Sequence, residues 1–327
     1  MSSVRTMVRV VIDTDDDPLW SQAALAAHHR AAGRITLHPT PGASTPPALA
    51  QDLLHALDKR LPPYAPGTPR HQATWADQVT PAWTAAACWI GAHRIGHLIV
   101  LRTLILSPTR WKQLAFLHRQ TQIHLTLLWH QANNPTLHQR AALLGPGYGV
   151  IAARAEEARR VLGRKGRARP DTAPCTVPSA MTCSREQQAI EEIQRIGHPL
   201  HAGLIATQTI TGTTTPARLA AVRLKDLAPD VTAIALPHPP YHPTSHRTWH
   251  PVPAWARPAI TAARAWHYLT GHAHPSRCLF QHLNFHHHNQ LTMTAPRGIT
   301  PAIDTLTGNP AWPTPTPTSV TSMNTGT

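Results

Sequence analysis

Only four cysteines occur in the 327 residues, Cys88, Cys175, Cys183 and Cys278, and no two of them form a CxxC pair. That scatter excludes a disulfide framework and a zinc ribbon, and it fits reduced thiols in a cytoplasmic protein. Long apolar runs are missing as well. The stretch "HLIVLRTLIL" is ten residues with an arginine inside it, too short to cross a bilayer. The opening "MSSVRTMVRVVIDTDDD" has no apolar h-region, so no secretory signal is expected. Acid is scarce: 16 Asp and Glu stand against 30 Lys and Arg, for a formal charge of +14 with His neutral. Such a balance favours a polyanionic partner, nucleic acid being the commonest, and makes no statement about fold. Lysine itself is rare, 4 residues against 26 Arg, so a coding bias toward Arg is the alternative source of the charge.

What is present is proline, 33 residues that cut the chain into short elements, and histidine, 24 residues. With 42% hydrophobic residues the chain has enough apolar side chains for a core, and its length suits two domains. Residues 1–162 alternate short apolar strands with capped helices. "TMVRVVID" (6–13), "RITLH" (34–38), "HLIVLR" (97–102) and "IHLTLLW" (123–129) read as strands. Asp17-Pro18, Ser107-Pro108 and Asn134-Pro135 each supply an N-cap and a first-turn proline. The first of these helices is expected to run to about residue 32 and close at Gly33. Further helices are expected in "PALAQDLLHAL" and over about 72–94. Continuous apolar strands between helices point to an α/β domain with a small parallel sheet covered on both faces.

"RRVLGRKGRAR" (159–169) carries six basic residues and no acid, and "PDTAPCTVPSAMTC" follows it, so 163–183 reads as a basic, Pro-rich linker. Beyond it, Ser184 and Gln187 are spaced as a capping box for "REQQAIEEIQRI". "PLHAGLIATQTI" reads as a helix, "VTAIALP" (231–237) as a strand, and the residues from there to about 250 as a Pro/His-rich loop. "PAWARPAITAARAWHYLTG" is a helix whose Ile260, Ala263, Trp266 and Leu269 share one apolar face. The segment 307–327 lacks periodicity and is expected to be disordered.

Two resemblances follow from these phrases. The strand and helix order of 6–145, with "GHLIVLRTLILSP", resembles the nucleotide-binding core of AAA-type ATPases that assist transposition. A phosphate loop needs glycines and a lysine, yet "DTDDDPLWS" places Asp13, Asp15, Asp16 and Asp17 there, and Arg102 stands where magnesium would need an Asp. ATP hydrolysis is therefore not expected. The four carboxylates are read as partners of the following helix N-terminus, a hard cation being the alternative. Residues 184–306, with "TGTTTPARLAAVRLKDLAPD", "WHPVPAWARPAITAARAW", "RCLF" and "RGITPAIDTLTG", resemble the catalytic domain of tyrosine recombinases, the phage-integrase family. The resemblance implies a mostly α-helical (α+β) domain that handles DNA. That family cuts DNA with a tyrosine and an arginine clamp. Here the first clamp arginine falls on Thr214 or Thr215, the His-x-x-Arg pair on Ala302 and Thr305, and no tyrosine follows Tyr268. Arg247 lies where the family's hairpin lysine sits.

The sequence reading is thus non-catalytic DNA binding, as an accessory or relic of a mobile element, with no cofactor, no metal and no membrane. The phosphate-contacting candidates are Arg159, Arg160, Arg164, Lys165, Arg167 and Arg169 at the linker and Arg218, Arg223 and Arg247 in the second half. A strand transferase with a displaced active site, and a protein-docking module acting through "HLIVLRTLIL", are the alternatives. His238, His242, His246 and His250 recur every fourth residue, but the intervening prolines forbid the helix that would stack them. Cys278, His282 and His286, with His272 or His274 nearby, could close a tetrahedral zinc site, with surface histidines the favoured reading. Trp75, Trp83, Trp89, Trp111 and Trp129 are expected in the core. Trp249 and Trp255 are expected to pack as well, stacking on unpaired bases being the alternative.

Overall fold

The computed structural model describes residues 8–62, 74–145, 148–152, 154–162, 184–213, 215–239, 241 and 246–280. Five strands form one parallel sheet: β1 (Val8–Ile12), β2 (Arg34–Leu37), β3 (His97–Val100), β4 (His124–Trp129) and β5 (Tyr148–Ala152). Their order across the sheet is β2-β3-β4-β1-β5. The chain leaves β1 through α1 (Pro18–Ala26), jumps to the far edge at β2, and returns strand by strand through α2 (Ala48–Ala56), α3 (Val79–Ala92), α4 (Pro108–Thr121) and α5 (Pro135–Ala142). Crossovers of one hand must change face when their direction reverses. They do: α1 packs with Val11, Ile99 and Leu128 on one face, while α2, α3, α4 and α5 pack with Val10, Leu98 and Leu127 on the other. The short α6 (Ala158–Leu162) returns to the α1 face.

The helix starts obey the expected chemistry. Asp17 accepts the Leu19 N–H, Ser107 the Arg110 N–H and Asn134 the Leu137 N–H, each ahead of a proline in the first turn. The first helix is shorter than expected, ending at Ala26. His28 and His29 stop it: the His28 ring accepts the Thr36 N–H, and the His29 ring caps a separate 3-10 turn over Arg30–Ala32. Gly33 then closes that turn in the left-handed region, φ 70°. The edge strand β5 has no counterpart in the sequence reading.

Four further α-helices and a hairpin follow. α7 (Ser184–Arg195), α8 (Pro199–Thr211) and α9 (Pro216–Ala220) precede β6 (Ala233–Pro237), β7 (Arg247–Pro251) and α10 (Arg257–Leu269). In α7 the Gln187 amide donates to Glu191, one turn onward. β6 and β7 are antiparallel, with Ala235 opposite Trp249 and Pro237 opposite Arg247. The sequence reading placed a loop up to about 250; instead the β-prone "RTWHP" pairs with β6, its prolines confined to strand ends and an edge.

α8 and α10 pack against each other and against α3, so Trp266, Ile260 and Leu204 belong to the same cluster as Trp89 and Leu98. At that seam the Trp89 indole N–H donates to the Gly197 carbonyl at 2.6 Å, and the Arg60 N–H to the Arg195 carbonyl at 2.7 Å. The buried Lys59 ammonium lies 3.5 Å over the Trp89 ring and donates to the Gln194 carbonyl. Burial holds the Lys59 amine well below the ordinary lysine range, with the Arg30 charge adding to the effect. No described helix is long and apolar enough to cross a membrane.

Candidate functional site

The β6–β7 hairpin and the turns beside it gather most of the second half's charge. Residues 199–280 hold seven Lys and Arg against two Asp. One of those acids, Asp226, is only 2% exposed and lies within the hairpin's base. It receives the Arg247 guanidinium at 2.6 Å and the Arg223 N–H at 2.9 Å. Arg218, at the end of α9, donates its Nε–H to the carbonyl of Pro237, the residue opposite Arg247 in the hairpin. Two guanidinium groups far apart in sequence, and the backbone of Arg223, thus meet around one two-stranded ribbon. The local reason is geometric: the 3-10 turn Leu224–Asp226 folds back on β6, with Leu227 bridging Ile234, and brings Arg223 along.

Histidines and one indole complete the surface. His238 Nε2 meets the Thr248 hydroxyl at 2.6 Å, and the His238 and His246 rings lie 5.4 Å apart. Burial, and then the Arg218 guanidinium, hold His250 below the ordinary imidazole range. Trp249 is 55% exposed on β7. This differs from the expected packing, because its strand position faces away from the α8–α10 core, while Trp255 packs partly buried against that core. Trp75, Trp83, Trp89, Trp111 and Trp129 are buried as expected. An exposed indole among guanidinium groups offers a stacking plane beside phosphate-binding charge.

The remaining candidates fall elsewhere. Arg159 and Arg160 ride on α6, on the sheet face opposite the one that carries α3, α8 and α10, and Arg160 pairs with Glu157. Arg164, Lys165, Arg167 and Arg169 lie outside the described residues, as do His242, His282, His286, Thr214, Ala302, Thr305 and the segment 307–327. Cys278 lies in the strand-like bridge that joins it to Arg223. Arg102, at the end of β3, sits 3.6 Å from Asp16 in the acidic loop after β1.

Sequence reasoning named the three arginines but missed Asp226, which takes the Arg247 guanidinium and the Arg223 backbone N–H. Nothing in the sequence reading marked the Asp of the "LKDL" step as a buried counter-ion. Trp249 was legible as an aromatic in a basic stretch, and its exposure required the pairing of β7. No family model, no curated protein and no solved structure matches the chain.

Proposed function

We propose that the chain binds DNA without cleaving it, through the cationic ribbon formed by β6 and β7, in a second half that folds as a recombinase-like domain stripped of its catalytic residues. The observation that carries this reading is the meeting of the Arg218 and Arg247 guanidinium groups at one hairpin that also exposes Trp249, with the Arg223 backbone anchored on the same Asp226. The order of elements supports it: a helix, a Gly212 turn in the left-handed region, a short helix, the Leu-Lys-Asp-Leu step, a hairpin and a helix follow the order that the family resemblance implies. Arg247 stands in the hairpin, where that resemblance expects a cation. Arg159, Arg160 and the basic 164–169 stretch supply further phosphate contacts as a separate arm. Phosphate neutralisation of this kind sets affinity without reading sequence.

Fluorescence anisotropy of a labelled duplex tests the reading. Affinity should fall steeply with salt, with a log–log slope of about −0.9 per phosphate contacted. R218A and R223A should each flatten that slope by about one. Absence of binding at low salt, or binding indifferent to salt, overturns it. A second reading, docking of a protein, rests on Leu104, Ile105 and Phe116, three large apolar side chains exposed after β3 and on α4. It requires a partner that stays bound after nuclease treatment and is lost in F116S.

A further inference from the structure

Asp13 is a buried carboxylate, 3% exposed, at the end of β1 in the middle of the sheet. A buried charge is ordinarily paired or bound to a metal. Among the described residues no Lys or Arg lies within ion-pair distance of Asp13. Its Oδ1 accepts the Asp17 N–H at 3.0 Å, which leaves Oδ2 turned toward the first residue after β4, His130. The His130 side chain is wholly buried, and its Nδ1 lies 2.7 Å from Asp13 Oδ2 and 3.2 Å from Asp16 Oδ1. Its Nε2, on the far side of the ring, has no hydrogen-bond partner. No network of its own therefore holds this imidazole; the two carboxylates do. The one guanidinium nearby, Arg102, is 3.6 Å from Asp16 and largely open to solvent.

The location is independent of the side-chain chemistry. Loops leaving β1 and β4, which are neighbours in the sheet, run to opposite faces, because α1 covers one and α5 the other. In an open parallel sheet this divergence makes a crevice at the strands' carboxyl ends, the general place for a ligand. Asp13 directly follows β1 and His130 directly follows β4, so both stand at that end of the two strands. Asp16, its side chain 50% exposed, faces the crevice's mouth.

We propose that Asp13, Asp16 and His130 form a site for a first-row divalent cation at the carboxyl edge of the sheet. The three donor atoms lie within 4.8 Å of one another. Two ligands each about 2.1 Å from a shared ion stand about 3.0–3.4 Å apart; the 3.2 Å between His130 and Asp16 matches this, and the 2.7 Å between His130 and Asp13 must open by a few tenths of an ångström on binding. One imidazole with two carboxylates selects an ion of the manganese or zinc type over calcium or magnesium, which take oxygen alone. Three protein ligands leave room for solvent at the mouth, and Arg102 is a competitor that must swing aside. Asp17 keeps its separate work as the cap of α1, and Asp15, exposed and outside the set, has no part in the site.

Manganese is the probe of choice, since 24 histidines offer zinc and nickel many weak surface sites. The full chain, stripped with a chelator, is titrated with Mn²⁺ while free ion is followed by electron paramagnetic resonance. One bound ion is expected. D16N, at an exposed position that leaves the fold intact, should weaken it on the order of tenfold or more, and H130Q likewise. D15N should change nothing, and R102A should tighten binding. Wild-type and D16N chains of equal affinity, an equal loss in D15N, or no ion retained at about 1 mM, the weak end of protein cation sites, each overturns the proposal.

Discussion

Arg247 and Asp226 put two demands on one pair of side chains. Asp226 is buried with Arg247 against it, and removing one partner of such a pair leaves the other uncompensated. D226N should therefore lose about 3 kcal/mol of stability, at the lower end for buried pairs because Arg247 is itself partly exposed. Urea unfolding with an unchanged slope would measure it. The same substitution removes the negative charge nearest the ribbon, so duplex affinity at low salt should rise, measured below the unfolding transition. A variant that loses both stability and affinity would mean that the pair shapes the ribbon rather than tuning its charge. His97 makes a comparable demand through pH. Buried between β2 and β4, beside Thr126, its imidazole is lowered to about 4 by burial and by the neighbouring His124, Arg9 and Arg34 charges. An unfolded chain takes up this proton near 6.5 and the folded chain does not until about 4. The stability that the neutral ring contributes is thus complete above about 6.5 and is lost as pH falls toward 4, by up to about 3 kcal/mol. H97Q should flatten that part of the stability–pH curve; an unaltered curve would assign the acid sensitivity to the other buried histidines.

Elements were legible where local chemistry declares them. The three Pro-led helices start where Asp17, Ser107 and Asn134 announce them, and four of the five parallel strands lie within their apolar runs. β5 was invisible for a physical reason: on the sheet's edge its residues are only half-buried or exposed, and Tyr148–Ala152 carries a glycine, so no clean period of two appears. β7 was hidden by its prolines and histidines, which mimic a loop until β6 is there to pair with. The acidic loop after β1 was legible as unfit for phosphate. His130, more than a hundred residues away, could join it only once β1 and β4 were known to be neighbours. α8 and α10 show how packing overrides propensity. Gly203 sits inside α8, where alanine would ordinarily add about 0.5–1 kcal/mol of helix stability. A Cβ there would lie 2.6 Å from that of Ala263 on α10 and 3.3 Å from the Ala259 carbonyl. G203A should instead destabilise by about 1–3 kcal/mol, the range for overpacking a filled core. A stabilised G203A, by thermal melt, would mean that the two helices stand further apart than this packing requires.

At the scale of the whole molecule, the apolar interior is continuous from the sheet through α3 to α8 and α10. The Trp89 indole is bonded to the Gly197 carbonyl, Lys59 to the Gln194 carbonyl, and Arg60 forms an ion pair with Glu192. Each contact joins residues on opposite sides of the basic segment 163–183. A chain cut there should feel the loss at α3, whose Trp89 and neighbouring alanines would face water in place of α10. The fragment 1–162 should then bind a hydrophobic dye that the full chain does not, and unfold at a lower temperature. Each kcal/mol lost lowers the midpoint by about 2–4 °C for a chain of this size, and a buried Trp hydrogen bond with its packing is worth several. The full chain should also melt in one transition seen alike by tryptophan fluorescence and far-UV circular dichroism. Two separate transitions, with fragment 1–162 melting as it does in the full chain, would instead make the halves independent domains. The seam at Trp89 would then be a docking contact between two folded bodies, and the cationic ribbon could reorient against the sheet.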